Sequence, residues 1–323
     1  MAPEERVKAL ALQAGFSLCG IAGLDSPPER LGFYSEWLKL GFAGDMAYLG
    51  RQEEKRLDPR RVLPGAKSMV CLGLLYNTDR PYSTEAGPGP WISRYAWGDD
   101  YHQVMGSRLE VLEASLRREF GPAVALKSCV DTAPVAEKAW AQAAGLGWTG
   151  KNTCLIHPKL GSWLFLAEIL TDLELRADPP GADLCGQCRR CLDACPTQAF
   201  PEPYVLDARR CVSYLTIEKR GEIPGEFRQA LGAHLYGCDL CQDVCPWNHW
   251  KRTTDEPAFQ KRESLESLDP AAVEAMDQAE FSRRFKGSAM KRTKLEGLKR
   301  NARVVADNLR RWIGRRPSRD PQP

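Results

Sequence analysis

The chain lacks any long apolar run. Nothing in its 323 residues approaches the run of about eighteen apolar side chains that a membrane-spanning helix needs, so no such helix is expected. The opening segment MAPEERVKALALQAGF is charged and amphipathic, without the apolar core and cleavage site of a signal peptide. We therefore expect a cytoplasmic protein, in which thiols stay reduced and disulfides do not form. The chain has only four histidines, and their positions do not have metal-ligand spacing. We interpret all four as ordinary polar or supporting residues: His102, His157, His234 and His249.

Cysteines, in contrast, are numerous, and eight of the 12 fall between residues 185 and 245. The first run, beginning at Cys185, is C-x2-C-x2-C-x3-C-P, the spacing of bacterial ferredoxins. The second, beginning at Cys238, repeats the last three cysteines of the first, and Cys211 is the candidate for the remaining ligand. In such paired runs the cysteine before proline ligates the other cluster. The spacing therefore predicts two 4Fe–4S clusters, the first held by Cys185, Cys188, Cys191 and Cys245, and the second by Cys195, Cys211, Cys238 and Cys241.

Structural zinc is the main alternative for paired C-x2-C motifs. Zinc does not call for four cysteines in one run or for a Cys–Pro ending in both runs, so this alternative is disfavoured. The remaining cysteines lie in apolar, strand-like stretches, and we interpret them as inert core residues. They are Cys19, Cys71, Cys129 and Cys154.

Hydrophobic periodicity predicts an α/β amino-terminal region. Helices are predicted over residues 4–14, after Pro28, over 99–120 and over 134–145. Strands are predicted over residues 16–24, 68–76 and 123–130, and a hairpin is predicted to pair 153–157 with 162–170.

Three polar stretches in this region are not explained by packing. The first is RYAWGDDYH, beginning at Arg94, and the third is GWTGKN at 147–152, whose glycines permit close approach to a ligand. The second is Asp131, between a predicted strand and a predicted helix. Functional groups are common at such strand ends in α/β folds, which makes Asp131 a candidate catalytic residue. The alternative is that Asp131 only caps the following helix.

Charge is unevenly distributed along the chain. From Arg283 onward there are 14 lysines and arginines against three acidic residues, a net charge of +11; the whole chain is +3, so the remainder carries −8. A helix is predicted here, with Leu295, Leu298 and Val305 packed inward. A basic tail on an acidic body indicates polyanion binding, and the alternative is a solvated helix that aids solubility. The predicted phosphate contacts are Lys291, Arg292, Lys294, Lys299 and Arg300, and one face of the helix can carry Lys291, Lys294 and Arg303.

Five blocks together resemble one known family. In chain order they are RYAWGDDYH, VDTAPVAEKAWAQAAGLGWTGKNT, LCGQCRRCLDACPTQAF, CVSYLTIEKRG and YGCDLCQDVCPWN, and over residues 4–255 they are similar to epoxyqueuosine reductase. The resemblance implies reduction of epoxyqueuosine to queuosine at the wobble position of tRNA anticodons, the last step of queuosine synthesis. It also implies cobalamin beside the two clusters, an anticodon stem-loop as partner, and an external low-potential electron donor of flavodoxin or ferredoxin type. We expect a monomer.

The fold that the resemblance implies has three parts. These are a cobalamin-binding α/β domain over 1–174, resembling flavin-reductase-like folds, a ferredoxin-like two-cluster domain over 175–255, and a short HEAT-like helical segment over 256–323. The alternative function is a cytosolic cobalamin and iron–sulfur reductase of a small molecule, like a reductive dehalogenase. Such dehalogenases normally carry a twin-arginine export signal, absent here, and have no use for a basic tail.

The resemblance also assigns roles to particular residues. Asp131 matches the catalytic acid, which must be protonated when substrate binds. Burial against the corrin and away from cations would raise its pKa in the required direction. Candidates for the cobalamin and substrate pocket are Arg56, Arg94, Asp131, Lys151, Asn152, Ser162, Ser213 and Asp239. Arg56 has three arginine neighbours in the same segment, at positions 51, 60 and 61. The sequence does not choose between a cobalt–carbon adduct and outer-sphere electron transfer.

Overall fold

The computed structural model describes residues 1–87, 89–249, 252–266 and 268–313. Its strands are β1 (Leu18–Gly23), β2 (Ser68–Leu75), β3 (Trp91–Ile92), β4 (Leu126–Cys129), β5 (Trp148–Thr149), β6 (Leu155–Ile156), β7 (Leu164–Thr171) and β8 (His234–Tyr236). Its α-helices are α1 (Pro3–Gln13), α2 (Tyr34–Lys39), α3 (Tyr48–Arg51), α4 (Glu53–Leu57), α5 (Tyr101–Phe120), α6 (Glu137–Ala143), α7 (Arg190–Asp193), α8 (Val212–Ile217), α9 (Gly225–Arg228), α10 (Leu240–Asp243), α11 (Pro270–Ala275), α12 (Gln278–Arg284) and α13 (Lys294–Ile313). The predicted mixture of helices and strands is therefore confirmed.

The amino-terminal region is built on a four-stranded sheet in the order β1-β2-β7-β4, antiparallel throughout. Every residue of β2 is buried, as expected of a strand with neighbours on both sides and helices on both faces. Alternate side chains serve opposite faces. Val70 and Leu72 join the core beneath α1 and α5, whereas Met69 and Cys71 join the core beneath α6.

Two local predictions are wrong. The predicted hairpin does not form, because β6 pairs with β5, and β7 instead joins the main sheet between β2 and β4. A single bridge between His157 and Gly161 remains of it. The predicted helix at 134–145 begins only at Glu137, since tight turns such as the one from Val135 to Ala133 occupy the preceding residues.

The carboxyl-terminal residues form part of a shared core. Side chains of α11, α12 and α13 pack with β8 and with Ile92, Ala96 and Trp97. Within α13, Leu298 and Val305 are buried as predicted. Asn301 donates hydrogen bonds to the carbonyls of Thr216 and Leu235, which anchors the helix to α8 and β8. The segment after residue 256 is thus integrated into the structure that surrounds the cysteine runs.

Among the described residues, no helix combines the length and the apolar character needed to cross a membrane.

Candidate active site and cluster-binding region

Asp131 lies in a strained turn directly after the edge strand β4. Its backbone has φ +48°, a conformation that costs energy for a residue with a side chain. Its amide donates to Glu137 Oε1 at 2.5 Å, and its side chain is 53 % exposed. The cap interpretation is wrong, because α6 begins after Ala136 without any side-chain cap. The antiparallel sheet also means that the strand-end rule for parallel sheets is not what places Asp131 here.

His102 joins Asp131 to a second carboxylate. His102 Nε2 lies 3.2 Å from Asp131 Oδ2, and Nδ1 lies 2.7 Å from Asp100 Oδ1. Asp100 caps α5 by accepting from the His102 amide, which fixes the ring two residues into the helix. Hydrogen bonds to Asp100 and then to Asp131 raise the pKa of His102 to about 9, so the ring is protonated at neutral pH and both nitrogens donate. His102 is therefore a supporting residue of the Asp131 site, one of the two interpretations that the sequence left open for it. The sequence signal for it was a histidine two positions after a helix-capping aspartate.

The expected rise in the pKa of Asp131 is also corrected. Partial burial raises this pKa, but hydrogen bonds from His102 and Tyr101, together with the charges of His102 and Arg292, lower it further than burial raises it. The net pKa of Asp131 is below its ordinary value, so the proton of the pair resides on His102 at neutral pH. The expectation required a site away from cations, whereas the positive charges of His102 and Arg292 both lower the pKa of Asp131.

Two more carboxyl groups lie behind Asp131. Burial and the nearby charge of Asp131 raise the pKa of Glu137 to about 8. Glu168, in β7, is 0 % exposed, and neither carboxyl oxygen has a hydrogen-bond partner among the described residues. Burial, with Glu137 and Asp131 nearby, raises the pKa of Glu168 well above its ordinary value. Sequence reasoning missed both groups, although a glutamate inside the apolar strand LFLAEILT was a signal for the second.

Tyrosines and one arginine frame the Asp131 site. Tyr101 stacks on His102, with ring centroids 4.2 Å apart. The Tyr95 hydroxyl donates to that of Tyr236 at 3.1 Å. Arg292 lies over the Tyr48 ring at 5.4 Å and forms two hydrogen bonds with the carboxylate of Glu218. The basic tail therefore begins beside the candidate catalytic carboxylate.

Of the four arginines between residues 51 and 61, the structure buries only Arg56. Its Nη1 donates to the Val135 carbonyl at 3.3 Å, which places the guanidinium near the turn that carries Asp131. Its Nε has no hydrogen-bond partner among the residues described. A buried donor of this kind is costly unless a bound group supplies an acceptor.

Arg94 and Asp239 do not project into an open pocket. Arg94 is 2 % exposed, and its guanidinium donates to the carbonyls of Thr78, Arg80 and Pro81. Asp239 is 1 % exposed and accepts hydrogen bonds from Trp91 Nε1, Ser93 Oγ and the Arg94 amide. Both side chains are hydrogen-bonded inside the protein, and their assignment to a ligand pocket stays a prediction. Their hydrogen bonds hold the loop that leads into the RYAWGDDYH stretch.

The polar stretch at 147–152 contacts the cysteine runs. Lys151 Nζ donates to the carbonyls of Gly186 and Cys188 at 2.6 and 3.0 Å, and Asn152 Nδ2 donates to the Cys241 carbonyl at 3.2 Å. The close approach at Gly147 is to the backbone of β6, since a side chain there would collide with the Ile156 carbonyl. At Gly147 the approach is thus to the protein's own backbone, and a ligand contact at this stretch stays a prediction.

Ser162 and Ser213 likewise contact the segments that carry cysteines. The Ser162 hydroxyl donates to Gln242 Oε1 at 2.9 Å, and Ser213 lies in α8, two residues after Cys211. Both residues are thus within reach of the cluster-binding region.

The eight clustered cysteines gather in two groups. One cavity is lined by Cys185, Cys188, Cys191 and Cys245, although the last of these comes from the second run. The Trp148 indole donates to Cys185 Sγ at 3.4 Å. The other group shares electrostatic interactions among its thiols and consists of Cys195, Cys211, Cys238 and Cys241.

Cys154 differs from the other cysteines outside the runs. Its thiol shares a hydrogen bond with that of Cys241, so its interpretation as an inert core residue is corrected. Cys71 and Cys129 are buried in the main sheet, and burial raises the pKa of the Cys129 thiol to about 12. Burial likewise raises the pKa of Cys19 to about 12.

Two family models match this chain, one in the amino-terminal region and one over the cysteine runs. A family model described as "Epoxyqueuosine reductase QueG, DUF1730" matches residues 56–132, and one described as "4Fe-4S double cluster binding domain" matches residues 184–248. An epoxyqueuosine reductase from Leadbetterella byssophila is 44 % identical over 303 residues, covering 94 % of this chain and 98 % of that protein. The chain belongs to the epoxyqueuosine reductase family.

Solved structures of epoxyqueuosine reductases have the same fold. One, determined with an epoxyqueuosine-modified stem-loop of tyrosine tRNA, is 33 % identical, with a TM-score of 0.86 over 94 % of this chain and 81 % of that one. Another, from Bacillus subtilis with its catalytic aspartate loop swung out of the active site, is 31 % identical, with a TM-score of 0.85 over 98 % and 86 % of the two chains. The double-cluster domain excludes the zinc alternative, and family membership disfavours the dehalogenase alternative.

Proposed function

We propose that this chain is an oxidoreductase that reduces epoxyqueuosine to queuosine at the wobble position of tRNA. Family membership supports this reaction, and the structural observation that supports it most directly is the pairing of Asp131 with a protonated His102. Converting an epoxide to an alkene consumes two electrons and two protons and releases water. The chain must therefore hold both a redox path and a source of protons.

The proposed proton source is the group of ionisable side chains around Asp131. His102 donates toward the Asp131 carboxylate and is recharged at neutral pH because its pKa is raised to about 9. Asp131, which is half exposed, presents the proton to the oxygen of the opening epoxide. Glu137, whose pKa is raised to about 8, is also protonated at neutral pH and is fixed at the Asp131 amide. These two protonated groups match the two protons that the reaction consumes.

The proposed ligand sets of the two 4Fe–4S clusters are those predicted from the spacing. The common cavity lined by Cys185, Cys188, Cys191 and Cys245 supports the first set, including the crossover of its last member. Thiol interactions within the other group support Cys195, Cys211, Cys238 and Cys241 as the second set. Thiolates are the ligands that such clusters require, so this donor set fits them.

Cobalamin is the proposed cofactor at the Asp131 site. Its corrin ring carries amide side chains, and the unpartnered buried Nε of Arg56 fits an amide carbonyl. Arg56 and Ser213 are the residues that we propose to hold it, while the side chains of Arg94 and Asp239 keep interior roles. When bound, cobalamin supplies a strongly reducing, nucleophilic cobalt centre for the difficult step. The surrounding residues orient substrate and deliver protons.

The proposed tRNA surface is the exposed part of the basic tail. Lys291, Lys294 and Arg303 are exposed, and Arg292 connects this surface to the Asp131 site. Arg300 is excluded as a phosphate ligand. It is 4 % exposed and donates to the carbonyls of Leu215, Lys219 and Gly221. The substrate base must leave its stack to reach the site, and phosphate contacts would hold the stem-loop while it does.

The finer fold assignments also remain proposals. A division into 1–174, 175–255 and 256–323 is supported by the main sheet, whose last residue is Thr171. The likenesses to flavin-reductase-like folds and to HEAT repeats rest on the family resemblance. The core that the last segment shares with β8 makes that segment a structural neighbour of the second cluster's ligands.

The test is turnover by anaerobically purified protein loaded with both clusters and cobalamin. With a low-potential reductant, wild-type protein should convert an epoxyqueuosine-containing tRNA stem-loop to the queuosine form. Asp131→Asn should retain iron and cobalamin yet lose about 10²–10⁴-fold in rate, the usual worth of general acid catalysis. Asp99→Asn is the matched control, because Asp99 lies in the neighbouring RYAWGDDYH stretch and pairs with Arg262. No conversion by wild type would refute the function, and a wild-type rate in Asp131→Asn would refute only the role of Asp131.

A further inference from the structure

The first cluster site opens to the surface of the molecule. Of the eight proposed ligands, Cys188 alone is exposed, whereas Cys245 is buried and the other six are partly buried. The cavity lined by the ligand set of the first cluster is also bordered by Leu184, which is 47 % exposed. A cluster held there lies close to solvent, while the second set of cysteines is more enclosed.

We propose that the surface formed by Leu184, Gln187, Cys188, Arg189 and Arg190, the Cys188 surface, is the docking site of an acidic one-electron carrier protein. This inference rests on the proposed function, because that reaction needs an external reductant. It assigns the order of electron flow, from the carrier to the first cluster and then to the second. In each encounter the carrier loses one electron and the first cluster gains it, with no bond made or broken.

Charge at the Cys188 surface favours an acidic partner. Arg189 and Arg190 are both exposed, and Arg190 forms no ion pair with any residue that the structure describes. Arg189 reaches Asp193 only at 3.7 Å, between two largely exposed side chains, so most of its charge remains available. Lys151 adds a third positive charge from below, at the carbonyl of Cys188. These charges stand on a body that is otherwise acidic, with −8 over residues 1–282.

The remaining features fit a redox protein better than a nucleic acid. Transient electron-transfer contacts are small, with an apolar centre and a charged rim that steers the encounter. Leu184 supplies an exposed apolar side chain at the cavity of the cluster ligands, and the two arginines follow Cys188 directly in the chain. An exposed leucine and an exposed cluster thiol have no use in binding phosphates.

The experiment measures reduction of the oxidised clusters by reduced flavodoxin, mixed anaerobically and followed by bleaching of cluster absorbance. The Arg189→Glu/Arg190→Glu variant should lower the second-order rate constant at low salt by about tenfold or more and weaken its salt dependence. Iron content and the rate with dithionite should equal those of wild type. Arg60→Glu/Arg61→Glu is the matched control, a second adjacent pair of exposed arginines with the same change of charge, and should react like wild type.

Several results would overturn the proposal. These are an unchanged rate with flavodoxin, an equal loss in the Arg60/Arg61 control, a matching loss with dithionite, or weakened binding of a tRNA stem-loop with unchanged flavodoxin kinetics. Leu184→Ser keeps every charge, and it should lower the flavodoxin rate without affecting the dithionite rate. Because none of the cluster-reduction measurements contains epoxyqueuosine, failure of the docking proposal is distinguishable from failure of the proposed reaction.

Discussion

His102→Gln is the most direct test of the proposed proton source. The change removes the only group of the Asp100–His102–Asp131 chain that is positively charged at neutral pH. The pKa of His102 is raised from 6.5 to about 9, and a shift of that size corresponds to about 3 kcal/mol at ~1.4 kcal/mol per pKa unit. The ring is 33 % exposed, so solvent screening reduces the realised stabilisation to about 1–2 kcal/mol.

The sign of the pH dependence follows from this shift. The stabilising interaction is fully present below pH 6.5, where His102 is protonated even in the unfolded chain, and it is lost as pH rises through about 9. Wild-type turnover should therefore fall above pH 9. In His102→Gln, turnover at pH 7 should fall by about 10²-fold, the lower end of general acid catalysis. Asp131 loses the bond that lowers its pKa, so the residual activity should increase toward acidic pH.

The assay is a pH–rate profile with saturating stem-loop on protein whose iron and cobalamin content has been checked. His249→Gln is the control, because His249 is exposed and belongs to none of these contacts. A merely structural role for His102 would lower the rate equally at every pH. An unchanged profile in His102→Gln would refute the argument that the pair stores the proton.

Three further predictions concern the clusters, the tail and the buried acid. Cys245→Ala should remove the first cluster's signal, although Cys245 lies in the second run, and Cys195→Ala should remove the second cluster's; iron analysis with electron paramagnetic resonance distinguishes crossing from non-crossing ligand sets. Lys294→Gln should weaken stem-loop binding and flatten its salt dependence without loss of stability. Arg300→Gln should instead lower the thermal midpoint, since Arg300 is buried with three carbonyl acceptors. Equal behaviour of the two variants in filter-binding and melting assays would contradict this. Glu168→Gln apoprotein should have the same melting temperature as wild-type apoprotein near pH 4 and a higher one near pH 8. The raised pKa of Glu168 means that its ionisation favours the unfolded chain increasingly as pH rises. A pH-independent difference in melting temperature would show that Glu168 is not protonated in the fold.

Local patterns in the sequence were sufficient for the longest helices and strands. The runs FSLCGIAGL and SMVCLGLLY contain β1 and β2, because an apolar run of this length bounded by turn residues has few other uses. The hairpin prediction is wrong because pairing depends on the whole sheet and not only on neighbouring segments. Proximity along the chain favours pairing β6 with β7, but β7 is buried along most of its length and is more stable between two long strands of the main sheet.

The site could be predicted only where chemistry fixes the residue type. Cysteine spacing grouped the thiols, because each cluster needs four of them at set distances along the chain. A charged side chain carries no such signal. Arg300 and Lys294 look alike in the sequence, yet one is buried against carbonyls and the other is exposed. The partner of Asp131 was missed because 29 residues separate it from His102, and only the fold brings them together.

The core shared by α13 and β8 has a consequence for assembly of the protein in the cell. Cys238 and Cys241 follow β8 directly, and β8 is covered by side chains from residues 265 to 305, which the ribosome makes after both cysteine runs. Until that stretch has emerged, the strand beside these thiols lacks its apolar neighbours. Enclosure of the second cluster's thiols therefore follows the synthesis of all eight clustered cysteines. A chain that terminates prematurely within α13 should accumulate with its second set of thiols exposed to oxidation.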